Sequence, residues 1–193
     1  MNTIKETIEN TLIIKNSRFI TIIYNINDIK DIDKYLKLVK DKYKDATHYC
    51  YAYILPNNIK CSDDGEPGGT AGKPILDVLT KHNLNFILAI VVRYFGGIKL
   101  GAGGLIRAYS KCISSCLNNT ELTKLIPGKN IDIYFTYKDI NDIDLLLTIC
   151  HINNKNYQDM ISYNVNIPKN LLPILENKYQ VKVNNDIYIK SDM

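Results

Sequence analysis

The chain has 193 residues, enough for one large domain or two small ones, and with 46% hydrophobic and 23% charged residues it has the composition of an ordinary globular protein. Its formal charge of +4 neither requires a nucleic-acid partner nor excludes one. The sequence has no apolar run of the roughly 18 to 20 residues that a membrane span needs and no signal-peptide features at its start, so we expect no membrane partner.

The predicted elements begin with strands and a helix. Residues 11–24 are expected to form one or two strands, bent near Asn16. From Asn27 onward, apolar residues recur at helical spacing with lysines and aspartates between them, which predicts an amphipathic helix. His48 to Leu55 is rich in tyrosine and is predicted to be a strand.

Two glycine-rich loops follow, each before a predicted helix. After the first loop, Pro74 stands where a helix can begin. Residues 86–95 are apolar except for Arg93, which is typical of a strand buried on both faces. After the second loop, a helix is predicted with the apolar stripe Leu105, Ala108, Tyr109, Cys112, Ile113 and Cys116.

The pattern changes in the last third of the chain. Residues 121–129 are polar apart from a few aliphatic positions and contain Pro-Gly, so we expect a linker there between a domain at residues 1–120 and another at residues 130–193. The second domain is predicted to have the order β-α-β-β-α-β, which is the ferredoxin-like order. Its elements are expected to be a strand at residues 130–137, a helix at 141–151, two short strands within 155–167, a helix at 169–179 and a strand at 181–190.

Glycine, arginine and charge are unevenly distributed. Nine of the ten glycines lie between Gly65 and Gly104, which indicates two loops of unusual backbone geometry. The only arginines are Arg18, Arg93 and Arg107, so these positions are candidates for contacts that need a planar guanidinium. Residues 1–128 contain 17 basic and 12 acidic side chains, and the remainder 7 and 8, so an anionic partner is expected to meet the first domain.

The second glycine loop is a candidate anion site, because the first N–H groups of a helix are unpaired and its dipole favours negative charge. An alternative is an ion pair that fastens one loop to the other, between Arg93 or Arg107 and one of the loop acids Asp63, Asp64 and Glu66. The candidate ligand-binding residues are Lys73, Arg93, Lys99, Gly101, Gly103, Gly104 and Arg107.

Several other kinds of site are disfavoured, and we expect neither a cofactor nor a metal. Pro67 and Pro74 break the phosphate-loop pattern around Gly72, and Ile106 replaces the third glycine of a dinucleotide loop. The loop acids could hold Mg²⁺ but more often cap or turn a chain. His48 and Cys50 share a strand face, yet no third group completes a nucleophile pair.

The cysteines bear on the cellular compartment, and the tyrosines are candidates for contacts with RNA. Five cysteines, an odd number without any C-x-x-C pair, favour a reducing, cytoplasmic compartment and argue against zinc. Tyr49, Tyr51 and Tyr53 could stack on RNA bases, or they could shield one face of the sheet.

Four stretches of the chain together resemble the IMPACT family, and in particular its YigZ-type bacterial members. They are SDDGEPGGTAGKPIL at residues 62–76, VVRYFGGIKLGAGGLIRAY at 91–109, KNSRFI at 15–20 and ATHYCYAY at 46–53. Many members have a basic residue where this chain has Ile54, so this chain lacks one candidate anion contact of the family.

The resemblance implies an α+β fold of two domains. The first would resemble the β-α-β fold of the second domain of ribosomal protein S-five, and the second would resemble the ferredoxin-like domains of elongation factor G. Eukaryotic relatives relieve translational repression, although with an added domain for which this chain is too short. Fold alone does not establish function.

Two functional hypotheses remain open. The resemblance and the basic residues near the glycine loops favour a non-enzymatic regulatory protein that binds RNA, the ribosome or a translation-associated protein. The alternative is an enzyme for a small anion or nucleotide, a hydrolase or transferase, in which Asp63 or Asp64 holds Mg²⁺ and Lys73 or Arg107 meets phosphate. The sequence gives no oligomeric state.

Overall fold

A computed structural model describes residues 1–118 and 120–191 of the chain. It is a mixed structure of helices and antiparallel sheets, divided into two compact units, Met1–Thr123 and Lys124–Met193. None of the helices within the described residues has the length and apolar character of a membrane span.

The first unit is built on a five-stranded sheet. Its strands are paired in the order β2-β3-β6-β4-β5, each antiparallel to its neighbour. A short strand, β1, precedes this sheet in sequence. The six strands are β1 (Asn2–Ile4), β2 (Ile8–Ile14), β3 (Ser17–Asn25), β4 (His48–Leu55), β5 (Asn58–Ser62) and β6 (Ile87–Tyr94).

Three helices cover the two faces of this sheet, α1 (Ile29–Lys42), α2 (Gly72–Lys81) and α3 (Ala102–Leu117). One core contains residues of α1, and a separate core contains residues of α2 and α3. Side chains of a strand point alternately to opposite faces. Accordingly Phe19 and Ile23 of β3 enter the core of α2 and α3, whereas Ile22 enters that of α1.

Most predicted boundaries in this unit lie close to the observed ones. The bend expected near Asn16 is a tight hairpin turn, in which Lys15 and Asn16 both have positive φ angles, as a type I′ turn requires. The predicted strand at residues 48–55 coincides with β4, and the predicted stripe of α3 is buried. Strands β1 and β5 are additional elements that the sequence analysis did not predict.

The second unit has the predicted element order β-α-β-β-α-β. Its strands pair antiparallel in the order β8-β9-β7-β10, and its core includes Phe135, Ile143 and Tyr163. The elements are β7 (Leu122–Phe135), α4 (Ile140–Leu146), β8 (His151–Tyr157), β9 (Ile161–Pro168), α5 (Leu172–Glu176) and β10 (Gln180–Lys190).

The expected linker at residues 121–129 needs correction, because residues 122–129 form the first half of β7. Pro127 and Gly128 lie within this strand rather than in a turn. A Cβ atom at Gly128 would lie 2.7 Å from the carbonyl oxygen of Ile167, so the glycine permits close approach of the neighbouring strand. The Pro-Gly pair therefore lies in a strand, and residues 122–129 do not form an irregular linker.

Candidate ligand-binding site

The second glycine loop is held against the hairpin turn between β2 and β3. A Cβ atom at Gly96 would lie 2.1 Å from the backbone of Asn16, so only glycine allows this approach. The N–H of Gly96 also donates to the hydroxyl of Ser17, at 3.2 Å. The loop then leads into α3 through Gly101, which has φ of 70° and supplies no side-chain cap. The loop thus leaves the first N–H groups of α3 without a side-chain cap.

The first glycine loop is organised by the carboxylate of Asp63. It accepts hydrogen bonds from the N–H groups of Gly69, Ala71 and Gly72, at 2.8, 3.0 and 2.8 Å. Burial alone would raise the pKa of Asp63, but these three donors together lower it below its usual value. Asp63 therefore caps α2 from a distance, and this explains why the helix begins at Gly72, before the predicted start at Pro74.

Asp64 connects the first glycine loop to strand β4 through two contacts. Its carboxylate accepts a hydrogen bond from the N–H of Tyr49 at 2.6 Å. Its carbonyl oxygen lies 2.8 Å from Nδ1 of His48. Because a carbonyl only accepts, Nδ1 must carry a proton and donate, which leaves Nε2 of the neutral imidazole as an acceptor.

Glu66 joins the two glycine loops through a buried ion pair with Arg93. The two side chains are 3% and 5% exposed, and the Oε1 atom of Glu66 accepts from Nη1 of Arg93. The same oxygen accepts from the hydroxyl of Tyr109 at 2.8 Å. Burial raises the pKa of Tyr109, so the phenol stays protonated as a donor. The alternative that an ion pair fastens one loop to the other is thus the arrangement observed for Arg93.

Arg93, one of the candidate ligand-binding residues, is consequently a buried partner of Glu66 rather than a free contact for an anion. Its guanidinium lies between the rings of Phe19 and Phe95, with centroid distances of 5.3 and 5.5 Å. Nη2 contacts the hydroxyl of Ser17 at 3.4 Å. The Nε atom is buried and has no hydrogen-bond partner among the described residues.

A cavity of about 430 Å³ lies between the loops. Its wall combines the start of α3 with the buried ion pair, and Nε2 of His48 lies 3.9 Å from Oε2 of Glu66. The lining residues are Thr47, His48, Glu66, Pro67, Arg93, Phe95, Lys99, Leu100, Gly101, Ala102 and Leu105. Two of the predicted ligand-binding residues, Lys99 and Gly101, thus lie at this cavity together with Arg93.

A second, smaller cavity of about 200 Å³ shares Leu100 with the first and is lined by three cationic side chains. These are Lys15 from the β2–β3 turn and Arg107 and Lys111 from α3, one helical turn apart. Gly104 also lines this cavity. We call the exposed cations Lys15, Lys99, Arg107 and Lys111 the basic surface.

Two groups of predicted contact residues are placed elsewhere. Lys73 lies on α2, where it pairs with Asp77 at 2.8 Å, and it lines neither cavity. Tyr53 is 5% exposed in the core beside α1, and Tyr49 and Tyr51 pack against the same core. The stacking hypothesis is therefore wrong for Tyr53, and all three tyrosines shield a face of the sheet.

Cys50 does not form a nucleophile pair with His48. Its thiol is buried and donates to the carbonyl of Asp63, while burial raises its pKa to about 12. The described residues contain no group of three or more metal-ligating side chains. The three loop acids instead bind backbone and side-chain donors of the protein itself.

Three features of the candidate site were not recognised in the sequence. Lys15 and Lys111 belong to the basic surface, yet lysine is so frequent in this chain that neither stood out. Tyr109 was recognised only as a core residue of α3, and its role as a donor to Glu66 depends on a contact 43 positions away. The proximity of His48 to Glu66 likewise arises only from the folded loop.

Comparison with known proteins identifies the family of the first unit. The model of the "Impact N-terminal domain" matches residues 15–117, which include both glycine loops. The chain is 47% identical over 120 residues to the IMPACT family member YvyE of Bacillus subtilis, covering 61% of this chain and 55% of that protein. It is 35% identical over 162 residues to the IMPACT family member YigZ of Escherichia coli, covering 80% and 79%.

Solved structures extend the similarity to both units. A crystal structure of a hypothetical protein is 29% identical and superposes with a TM-score of 0.71, covering 95% of this chain and 97% of that one. The structure of the two-domain translational regulator Yih1 is 20% identical over 62% of this chain, and its TM-score of 0.35 is too low to indicate a shared arrangement.

Proposed function

Because this chain belongs to the IMPACT family, we propose that it is a regulatory protein that binds RNA of the translation machinery through the basic surface. A role in translation is what the resemblance of its loop motifs to that family implies. The observation that carries the proposal is the cluster of exposed cations beside the second glycine loop. Such clusters bind phosphate backbones by neutralising their charge and releasing counterions.

The charges of the basic surface are available for a partner. Lys15, Lys99, Arg107 and Lys111 are exposed, and none forms an ion pair with another described residue. Helix α3 itself contains no acidic residue. A positive potential is therefore not cancelled locally, and it supports binding of an anionic polymer.

The enzymatic alternative receives less support from the loop contacts. A magnesium site would need Asp63 or Asp64, whose carboxylates already accept hydrogen bonds from backbone N–H groups. Lys73, which was to meet phosphate, pairs with Asp77 outside both cavities. Asp63, Asp64 and Lys73 are thus engaged in contacts within the protein, and of the residues proposed for nucleotide chemistry Arg107 alone is an exposed cation without an ion pair to another described residue.

The fold names implied by the family form part of this proposal. The order of the second unit, with the first strand between the third and the fourth, supports a ferredoxin-like domain. The first unit, with α1 on one face of its sheet and α2 and α3 on the other, is proposed to resemble the second domain of ribosomal protein S-five. Both names remain analogies that do not establish a function.

The proposal is tested by co-sedimentation of the purified protein with ribosomes and separated subunits at low and high salt. The test variant is Lys15→Gln/Arg107→Gln/Lys111→Gln. The matched control is Lys30→Gln/Lys37→Gln/Lys44→Gln, which removes the same net charge from exposed positions outside the basic surface. Neither triple variant changes a buried side chain, so both are expected to fold.

We expect salt-sensitive association that the test variant loses and the control variant retains. Equal loss in both variants would attribute binding to net charge and contradict a specific surface. Absence of sedimentation of the unaltered protein at any salt concentration would reject the ribosome as the target.

A further inference from the structure

The cavity between the glycine loops has a wall that differs in chemistry from the basic surface. Glu66 and Arg93 compensate each other's charge within this wall, and Phe95, Leu100 and Leu105 make much of the remainder apolar. Its volume of about 430 Å³ is typical of sites that enclose a small organic group. Such a wall favours the uncharged, planar part of a ligand over a phosphate.

Phe95 presents an aromatic ring that is held in place at this cavity. Its N–H group donates to Oγ1 of Thr47 at 3.0 Å, which fixes the backbone directly after β6. The guanidinium of Arg93 lies over the ring, 5.5 Å from its centroid. The residue is nevertheless 46% exposed, and it lines the cavity. Exposed aromatic rings beside cationic grooves are the platforms on which single-stranded nucleic acids stack their bases.

Two hydrogen-bond acceptors of the same wall receive no hydrogen bond from the described residues. Nδ1 of His48 donates to the carbonyl oxygen of Asp64, so Nε2 of the neutral ring is an acceptor. It lies 3.9 Å from Oε2 of Glu66, whose hydrogen bonds are all received by Oε1. Within the described residues, Nε of Arg93 is the only unpartnered side-chain nitrogen or oxygen that is buried, so both acceptors are reached by solvent. An amino group placed beside them would donate to both.

The cavity is continuous with the cations of the basic surface. Lys99 belongs to that surface and also lines the cavity, and Leu100 lines both this cavity and the smaller one. The smaller cavity is lined by Lys15, Arg107 and Lys111. A nucleotide joins a flat base to an anionic phosphate through a sugar, so a strand with its phosphates on the cations brings a base to the apolar wall. Only an unstacked base can enter, and RNA offers such bases where it is single-stranded.

We propose that the cavity between the glycine loops holds one unstacked base of a single-stranded RNA, and that this base has an amino group, as adenine, cytosine and guanine do. The base stacks on Phe95, and its amino group donates to Nε2 of His48 and Oε2 of Glu66. The flanking phosphates lie on the basic surface. This inference rests on the proposed binding of RNA, and it adds the form of RNA that binds and the contacts that select the base.

The test compares three single strands that have the same number of phosphates. Their affinities for the full chain are measured by fluorescence anisotropy. The first is a strand of about ten adenosines, within the length that one binding surface of this kind covers. The second has purine ribosides in their place, which lack only the amino group. The third is an abasic strand, which has the backbone without any base.

We expect the adenosine strand to bind about tenfold more tightly than the abasic strand, because stacking of one base on an aromatic side chain contributes an effect of that size. The purine strand should bind about fivefold more weakly than the adenosine strand, because the amino group is missing. Equal affinity for adenosine and purine strands would overturn the assignment of an amino-bearing base. Equal, salt-sensitive affinity for adenosine and abasic strands would overturn this inference but retain RNA binding by the basic surface. Absence of binding by all three strands would overturn the proposed function as well.

A pair of variants tests the position of the base. Phe95→Leu keeps an apolar side chain without the ring, and it should lower the affinity for the adenosine strand about tenfold, to that of the abasic strand. Phe95→Tyr keeps the ring and should bind as the parent does. Neither change should alter the affinity for the abasic strand, which depends on the basic surface alone. Thermal unfolding verifies that both variants are folded. Unchanged binding of the adenosine strand by Phe95→Leu, or an equal loss for the adenosine and abasic strands, would overturn the placement of the base on Phe95.

Discussion

At the scale of single residues, the loop acids illustrate how similar side chains acquire different tasks. Asp63 caps α2, Asp64 holds β4 and Glu66 neutralises a buried arginine. A short run of acids in sequence suggests a metal site, but each of these carboxylates is satisfied by donors of the protein itself. The backbone conformation of the loop directs each carboxylate toward different donors and so determines its role.

The ion pair of Glu66 and Arg93 should show strong energetic coupling. Arg93→Met is expected to destabilise the protein by about 3–5 kcal/mol, because it leaves Glu66 buried and uncompensated. The double variant with Glu66→Gln should lose at least about 1 kcal/mol less than the sum of the single changes. Chemical denaturation of the three variants measures this, and strict additivity would contradict a buried pair.

Asp63 should contribute stability that depends on pH. Its lowered pKa in the folded state means that the contribution is present above the usual carboxyl pKa and is lost as pH falls through the lowered value. Asp63→Asn should therefore cost about 1–3 kcal/mol near neutral pH and much less in acid.

Urea denaturation at several pH values tests the behaviour of Asp63. Asp77→Asn is the control, because it breaks only an exposed pair on α2 and should change stability by less than about 0.5 kcal/mol. A cost of Asp63→Asn that stays constant down to acid pH would show that the charge of Asp63 is not involved.

At the scale of elements, the glycine loops serve to bring backbones close together. The loop after β6 contacts the β2–β3 turn at Gly96, and the loop before α2 contacts β5 at Gly72, where a Cβ atom would lie 2.8 Å from Ser62. These approaches fix the starts of α2 and α3, and thereby the cavity. These glycines are therefore required first by the packing of the backbone.

Two glycine-to-alanine substitutions test whether the close backbone approach requires glycine. Gly96→Ala should destabilise the protein by more than about 2 kcal/mol, since the new methyl group collides with backbone that cannot move away. Gly68→Ala places its methyl group in open space and should be neutral or stabilising by up to about 1 kcal/mol. Thermal unfolding of both variants measures the difference, and equal effects would refute the close approach.

At the scale of the whole molecule, positive charge and candidate binding features coincide in the first unit. The basic surface and the cavity between the glycine loops both belong to Met1–Thr123. The second unit has its own core around Phe135 and Tyr163. The affinity for a partner that is attracted by long-range electrostatics should therefore change when cations of the first unit are substituted.

The salt dependence of the RNA affinity should depend on the number of cations in the basic surface. Each cation removed from the RNA contact should reduce the slope of log affinity against log salt by about 0.7 to 0.9. We expect such a reduction for Lys15→Gln/Arg107→Gln/Lys111→Gln, measured by fluorescence anisotropy with single-stranded RNA. The triple variant at Lys30, Lys37 and Lys44 should keep the parental slope, and an equal reduction would refute a localised contact.

The sequence by itself determined the elements whose signals are local. Hydrophobic periodicity placed α1, β4, β6 and α3 close to their observed positions, and the element order of the second unit was predicted in the same way. The motifs around both glycine loops identified the family, because long specific stretches are read without knowing the fold.

Only the tertiary structure decided the partners of the charged side chains. Arg93 pairs with Glu66 across 27 positions, and Lys15 lines the same cavity as Arg107 and Lys111 only because the β2–β3 turn lies beside α3. The local sequence pattern also gave a wrong prediction for Gly128. This glycine is required by the close approach of a neighbouring strand and not by a turn. Such contacts depend on distances between remote segments, and local propensity contains no information on those distances.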